Sequence, residues 1–159
     1  MSSAHAAGPW RILTVCKGGH CRAPLAAAVL AARGGRAVET RAAALKDWHI
    51  GEAAHPAMVT AATRRGYDLT GHRGIQVRAE LLDWADQVLA MDRAVLDSLR
   101  RLASEEAAVK LGLYLDGRDV PDPWEQPEDA FTACVAVVEA GAARHLDGLV
   151  PAAGDGPTV

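Results

Sequence analysis

Short apolar runs and longer amphipathic stretches take turns along the chain, punctuated by glycine, proline or charge. Arg11 to Val15 is a compact apolar run, the pattern of a strand covered on both faces. An alanine- and leucine-rich helix follows: it starts at Arg22, runs through Leu25 to Ala32 and stops at Arg33-Gly34-Gly35, where glycine favours a helix end. Ala37 to Ala44 reads as a second strand, although alanine is a poor strand former. His55-Pro56 opens a helix that reaches Gly66, with proline at a first-turn position that needs no amide. Leu81 to Trp84 is a short helical turn before a strand from Gln87 to Met91. Asp92 is an N-cap, and Val95, Leu96, Leu99 and Leu102 put an apolar face on the helix it starts. Val109 to Leu115 forms a fourth strand, Asp116 to Pro127 a turn-rich loop, and Glu128 to Leu149 a long terminal helix. Strands alternating with helices predict right-handed crossovers and a parallel sheet with helices on both faces. Ligands of such sheets sit at the carboxyl ends of the strands.

A chain of 159 residues fits one domain, expected over 10–150, with small-residue tails at 1–9 and 151–159. Half of the residues are hydrophobic but only 4% are aromatic, so alanine, valine and leucine must fill the core. A net charge of -3 gives no reason to expect nucleic acid or an anionic membrane as a partner. Three cysteines, an odd number, argue against a disulfide scaffold and for a reducing compartment. Met1 to Gly8 lacks the basic start and apolar core of a signal peptide, and no apolar run approaches the ~20 residues of a membrane span. A cytoplasmic location is expected.

The candidate chemistry lies where the first strand meets the first helix. Cys16 ends the strand, Lys17, Gly18, Gly19, His20 and Cys21 form a loop, and Arg22 opens the helix. Unpaired amides at a helix start and glycines in the loop make an anion hole. The planar guanidinium of Arg22 can hold two phosphoryl oxygens at once. The same setting depresses a thiol pKa, which makes Cys16 a candidate nucleophile. The plain alternative, a buried inert cysteine beside a surface arginine, leaves the gathering of Lys17, Gly18, Gly19 and Arg22 unexplained. Displacing an alcohol or phenol from phosphate needs an acid. Asp122, in Asp119-Val120-Pro121-Asp122-Pro123-Trp124, lies on the loop that leaves the fourth strand; aspartate and proline are also ordinary turn residues.

Over nearly its whole length the chain resembles the low-molecular-weight protein tyrosine phosphatases. Their Val-Cys-x-Gly-Asn-x-Cys-Arg-Ser-Pro signature is similar to Val15-Cys16-Lys17-Gly18-Gly19-His20-Cys21-Arg22-Ala23-Pro24, and their Asp-Pro-aromatic motif to Asp122-Pro123-Trp124. Trp48-His49-Ile50-Gly51, Gly66-Tyr67-Asp68-Leu69 with His72-Arg73, and Leu89-Ala90-Met91-Asp92 follow in family order. The resemblance implies an α/β fold: a three-layer sandwich with a four-stranded parallel sheet in order 2-1-3-4. It also implies a two-step reaction without metal or other cofactor. Cys16 attacks phosphorus while Arg22 and the loop amides hold the oxygens, and Asp122 protonates the leaving phenolate and then activates water. Trp48 and Trp124 flank the substrate ring. The implied partners are a phosphotyrosine-bearing protein or a small aryl phosphate, with inorganic phosphate, sulfate or vanadate as loop ligands.

Three positions depart from the family pattern. Gly19 replaces its asparagine, Ala23 the serine after the arginine, and Ala42 the serine of its second-strand Ser-Ala-Gly motif. In the family these side chains brace the loop, and the serine beside the arginine donates to the cysteine sulfur. A higher Cys16 pKa and slower breakdown of the intermediate are therefore expected, with His72 left as a loop support. Cys21 reads either as a partner that shields the nucleophile by a disulfide, as in the family, or as a small packing residue. Zinc is not expected, because Cys134 is the only third thiol and His5, His20, His49, His55 and His145 are scattered along the chain. His20 is placed to touch substrate from within the loop. Two other activities remain in play: arsenate reduction, for which relay cysteines are missing between Arg22 and Ala133, and capture of phosphorylated ligands without turnover.

Overall fold

The computed structural model describes residues 8–149. Those residues form four strands, β1 (Trp10–Cys16), β2 (Val38–Ala44), β3 (Gln87–Ala90) and β4 (Leu111–Leu113). Six helices accompany them: α1 (Arg22–Gly34), α2 (Pro56–Arg64), α3 (Ala79–Trp84), α4 (Arg93–Leu102), α5 (Glu105–Ala108) and α6 (Glu128–Leu146). The sheet order is β2-β1-β3-β4 with every pair parallel, as expected. Most of the proposed tails, at 1–7 and 151–159, lies outside the described residues.

Strand periodicity divides the interior into two cores. Ile12, Cys16, Leu89 and Met91 face one side, where α1, α2 and α6 supply Leu25, Val29, Met58, Phe131 and Val138. Leu13, Val15, Val88 and Ala90 face the other, against Leu81, Leu82, Val95, Leu96 and Leu99 of α3 and α4. Three layers result. Because β1 is buried on both faces, Cys16 sits on a rigid central strand at the carboxyl edge of the sheet.

Several expected boundaries shift. The residues Gly35–Ala37 form a 3-10 turn, so β2 begins at Val38. Strand β4 covers three residues rather than Val109 to Leu115: Val109 is almost fully exposed, and Lys110 donates its amide to Ala107 to close the preceding turn. Helix α5, capped by Ser104, was not anticipated; its four residues are too few to carry a periodic signal. Leu102 is 62% exposed instead of buried, because α4 ends there and the chain turns away. Helix α6 stops at Leu146, three residues before the expected end.

Candidate active site

The loop from Cys16 to Arg22 wraps around one sulfur. Cys16 Sγ accepts from the amides of Gly19, at 3.2 Å, and Ala23, at 3.4 Å. Gly19 has φ +64, and a Cβ there would stand 2.6 Å from the Ala44 Cβ, so the position demands glycine twice over. The turn is fastened from outside. Leu45 and Lys46 donate amides to the carbonyls of Cys16 and Lys17, and His55 to that of His20. His72 Nε2 lies 3.1 Å from the Gly19 carbonyl, which can only accept, so this nitrogen carries the proton.

Arg22 is 4% exposed, and its guanidinium is aimed by elements that converge on the sheet's carboxyl edge. Its Nη1 donates to Asp92 Oδ2 and to the Val120 carbonyl, both at 2.8 Å. Its Nη2 lies 3.8 Å from Asp122 Oδ2. Asp92 follows β3 and caps α4 through the Val95 amide, so one carboxylate fixes a helix start and the arginine together. Val120 is fixed in turn by donating its amide to the Met91 carbonyl. The Trp124 amide donates to Asp122 Oδ1 and holds the carboxylate at the rim.

These groups border a pocket of about 280 Å³. The buried Cys16, Cys21 and Arg22 line it together with Lys17, Gly18, His20, Trp48, His49, Asp122 and Trp124. Trp48 and Trp124 are 55% and 41% exposed, large apolar faces left open at the mouth. Lys17 Nζ lies 5.5 Å from the Trp48 ring centroid, within cation–π range. Two expected site residues do not line the pocket: Gly19, which is turned against Ala44, and His72, which sits behind the loop on the Gly19 carbonyl.

Burial pushes the Cys16 thiol upward, against the Arg22 charge and the amides of Ala23, Gly19 and His20, which favour the thiolate. Cys21 is also raised by burial, and Cys134 is pushed up to about 12 by burial and by its neighbours Asp122 and Cys16. All three thiols are free and buried in one core. Desolvation, followed by His49 and His55, lowers His20 to about 4, so its ring is neutral near pH 7.

The sequence reading missed three participants. The sequence marks Asp92 as a cap and, through Leu89-Ala90-Met91-Asp92, as the exit of the third strand, but not as the partner of Arg22. His49 and His55 were read as scattered, yet the fold brings both beside His20. The His20 and His49 rings stack at 3.9 Å, and the His20 and His55 centroids are 5.4 Å apart.

A family model described as low molecular weight phosphotyrosine protein phosphatase matches residues 11–151. The chain belongs to this family. A low molecular weight protein-tyrosine-phosphatase of Streptomyces coelicolor is 36% identical over 151 residues, 86% of this chain and 92% of that protein. Among solved structures, Vibrio vulnificus Wzb in complex with benzylphosphonate superposes with a TM-score of 0.83 at 26% identity, over 89% of this chain and all of that one. The YwlE arginine phosphatase from Geobacillus stearothermophilus superposes with a TM-score of 0.80 at 30% identity, covering 89% of this phosphatase family member and 93% of YwlE.

Proposed function

We propose that the protein hydrolyses phosphotyrosine and related aryl phosphate monoesters through a cysteinyl-phosphate intermediate. The supporting observation is the convergence of Cys16 Sγ, the buried Arg22 guanidinium and the Asp122 carboxylate on one pocket walled by Trp48 and Trp124. Cys16 attacks phosphorus in line. Arg22 and the loop amides hold the equatorial oxygens, whose charge grows in the transition state, and Asp122 gives its proton to the departing phenolate. Asp122 then takes a proton from the water that attacks the cysteinyl phosphate; phosphate leaves and the thiolate returns. Lys17 and His20 contact the substrate from the loop, Gly18, Gly19 and Cys21 shape its cradle, and His72 supports it from behind.

Turnover is slower than in a relative with the full bracing set. Ala23 offers no hydroxyl to the sulfur, Ala42 and Gly19 offer no side-chain brace, and burial drives the thiol upward. The same features support the second reading, capture of phosphorylated ligands without turnover. Three free thiols support a reducing, cytoplasmic setting. Among the described residues no helix is long and apolar enough to cross a membrane.

Release of p-nitrophenol from its phosphate tests the reading. Wild type turns over and is inhibited by vanadate, Cys16→Ser is inactive, and Asp122→Ala is slower by about 10²–10⁴. Absence of turnover by folded, reduced wild type leaves the binding reading. A parallel assay on phosphotyrosine and phosphoarginine separates the two substrate classes named for its relatives. The aromatic walls predict preference for phosphotyrosine, and faster release from phosphoarginine overturns that assignment.

A further inference from the structure

The rim of the pocket carries a second cluster of donor atoms. His20, His49 and Glu52 each offer one ligand atom, and these atoms lie within 4.8 Å of one another. We propose that His20, His49 and Glu52 hold a divalent ion of the zinc class over the mouth of the pocket, where it blocks substrate entry. Blockade, unlike binding, rests on the phosphatase reading.

The donor set fits such an ion. Two imidazoles and a carboxylate are borderline ligands that suit zinc, and three protein ligands leave a fourth position open to water or an oxyanion. His20 Nδ1 is a buried ring nitrogen without a hydrogen-bond partner, which is unusual for a polar atom and leaves it free to ligate. His49 Nδ1 already lies 2.9 Å from Glu52 Oε1. His55 lies outside this donor group, and its Nδ1 is engaged by the Ala57 amide as the cap of α2. The His20 and His49 rings are now nearly parallel, 9° apart, so their in-plane lone pairs do not yet meet. Zinc–nitrogen bonds of about 2.0–2.1 Å place tetrahedral donors about 3.4 Å apart. Binding therefore requires the His49 ring, 19% exposed and stacked on His20, to turn together with the 57% exposed Glu52.

Titration of the metal-free, reduced Cys16→Ser protein with Co²⁺, read by visible absorption, and with Zn²⁺, read by calorimetry, tests the site without turnover. One ion binds per chain. His49→Ala and Glu52→Gln in the same background weaken binding, by more than about tenfold for His49→Ala, while Trp48→Ala leaves it unchanged. Failure of Cys16→Ser to bind while wild type does puts the ion on the thiol and overturns the proposal. So does absence of binding, or equal binding by His49→Ala. In wild type Zn²⁺ raises the apparent KM for p-nitrophenyl phosphate, and Glu52→Gln blunts the rise. Zinc binding with an unaltered KM refutes blockade, whereas zinc binding by a wild type that never turns over refutes the phosphatase reading and leaves the metal site standing.

Discussion

Between the loop and the end of β2 there is room for one methyl-sized group. Gly19 at φ +64 would bring its Cβ within 2.6 Å of the Ala44 Cβ. In the family pattern an asparagine stands at the first position and the last residue of Ser-Ala-Gly at the second, so the small residue has changed sides. Gly19→Asn therefore destabilises by about 1–3 kcal/mol through overpacking, and adding Ala44→Gly restores most of it. A denaturant double-mutant cycle checks this; coupling below about 0.5 kcal/mol shows two independent sites. Ala23 governs the sulfur instead. Its amide already donates to Cys16 Sγ at 3.4 Å, and a hydroxyl there adds a donor to the charged form. Since burial holds the thiol above its ordinary range, less thiolate exists at neutral pH. Ala23→Ser stabilises the thiolate, so the pH midpoint of iodoacetamide alkylation moves down and turnover at pH 7 rises. A midpoint that stays or moves up refutes the link.

Elements were legible in proportion to how much of their pattern is local. Strand β1, helix α1 and the capped start of α4 were read to within a residue or two, because a buried run, a glycine stop and an aspartate cap are written in consecutive residues. Strand β4 and helix α5 were not, since three strand residues between a lysine and a tyrosine carry no periodicity of their own and are fixed by pairing with β3. The site divided in the same way. Cys16 to Arg22 is contiguous and was visible; His49 and His55 reach His20 only through the path of the β2–α2 connection. Asp92 was half visible, as a cap without its arginine. Its two oxygens serve two elements, Oδ1 the Val95 amide and Oδ2 Arg22, each at 2.8 Å. Asp92→Ala costs about 1 kcal/mol for the cap and a further 1.5–3 kcal/mol for the hydrogen bond to a charged group. Asp92→Asn keeps the cap and forfeits mainly the second part. Both raise KM, because Arg22 is then aimed only by the Val120 carbonyl and Asp122. Urea unfolding together with KM for p-nitrophenyl phosphate tests this, and a normal KM in both variants removes Asp92 from the positioning of Arg22.

At the scale of the whole molecule, stability and chemistry occupy opposite ends of α1. The first turn of the helix carries Arg22 at the pocket, and its last turn carries Arg33, roughly 16 Å away along the axis. There the buried Glu139 of α6 gathers three partners. Its Oε2 accepts from the Tyr67 hydroxyl at 2.7 Å and lies 3.4 Å from Arg33 Nη2, while Oε1 is 2.7 Å from Arg65 Nη2. One carboxylate thus ties α1, the end of α2 and α6 on the face of the sheet that holds the nucleophile. Both arginines reach partly into solvent, so the ion pairs are screened and most of the energy lies in the buried tyrosine bond. Glu139→Gln keeps the shape and removes the charge, which costs about 1–2 kcal/mol. For a chain of this size that lowers Tm by about 2–8 °C. The loop end of α1 is untouched, so KM and vanadate inhibition stay at wild-type values. A thermal melt and a vanadate titration on the same protein decide the matter: a changed vanadate affinity means that strain at the Glu139 end travels the length of α1 to the phosphate loop.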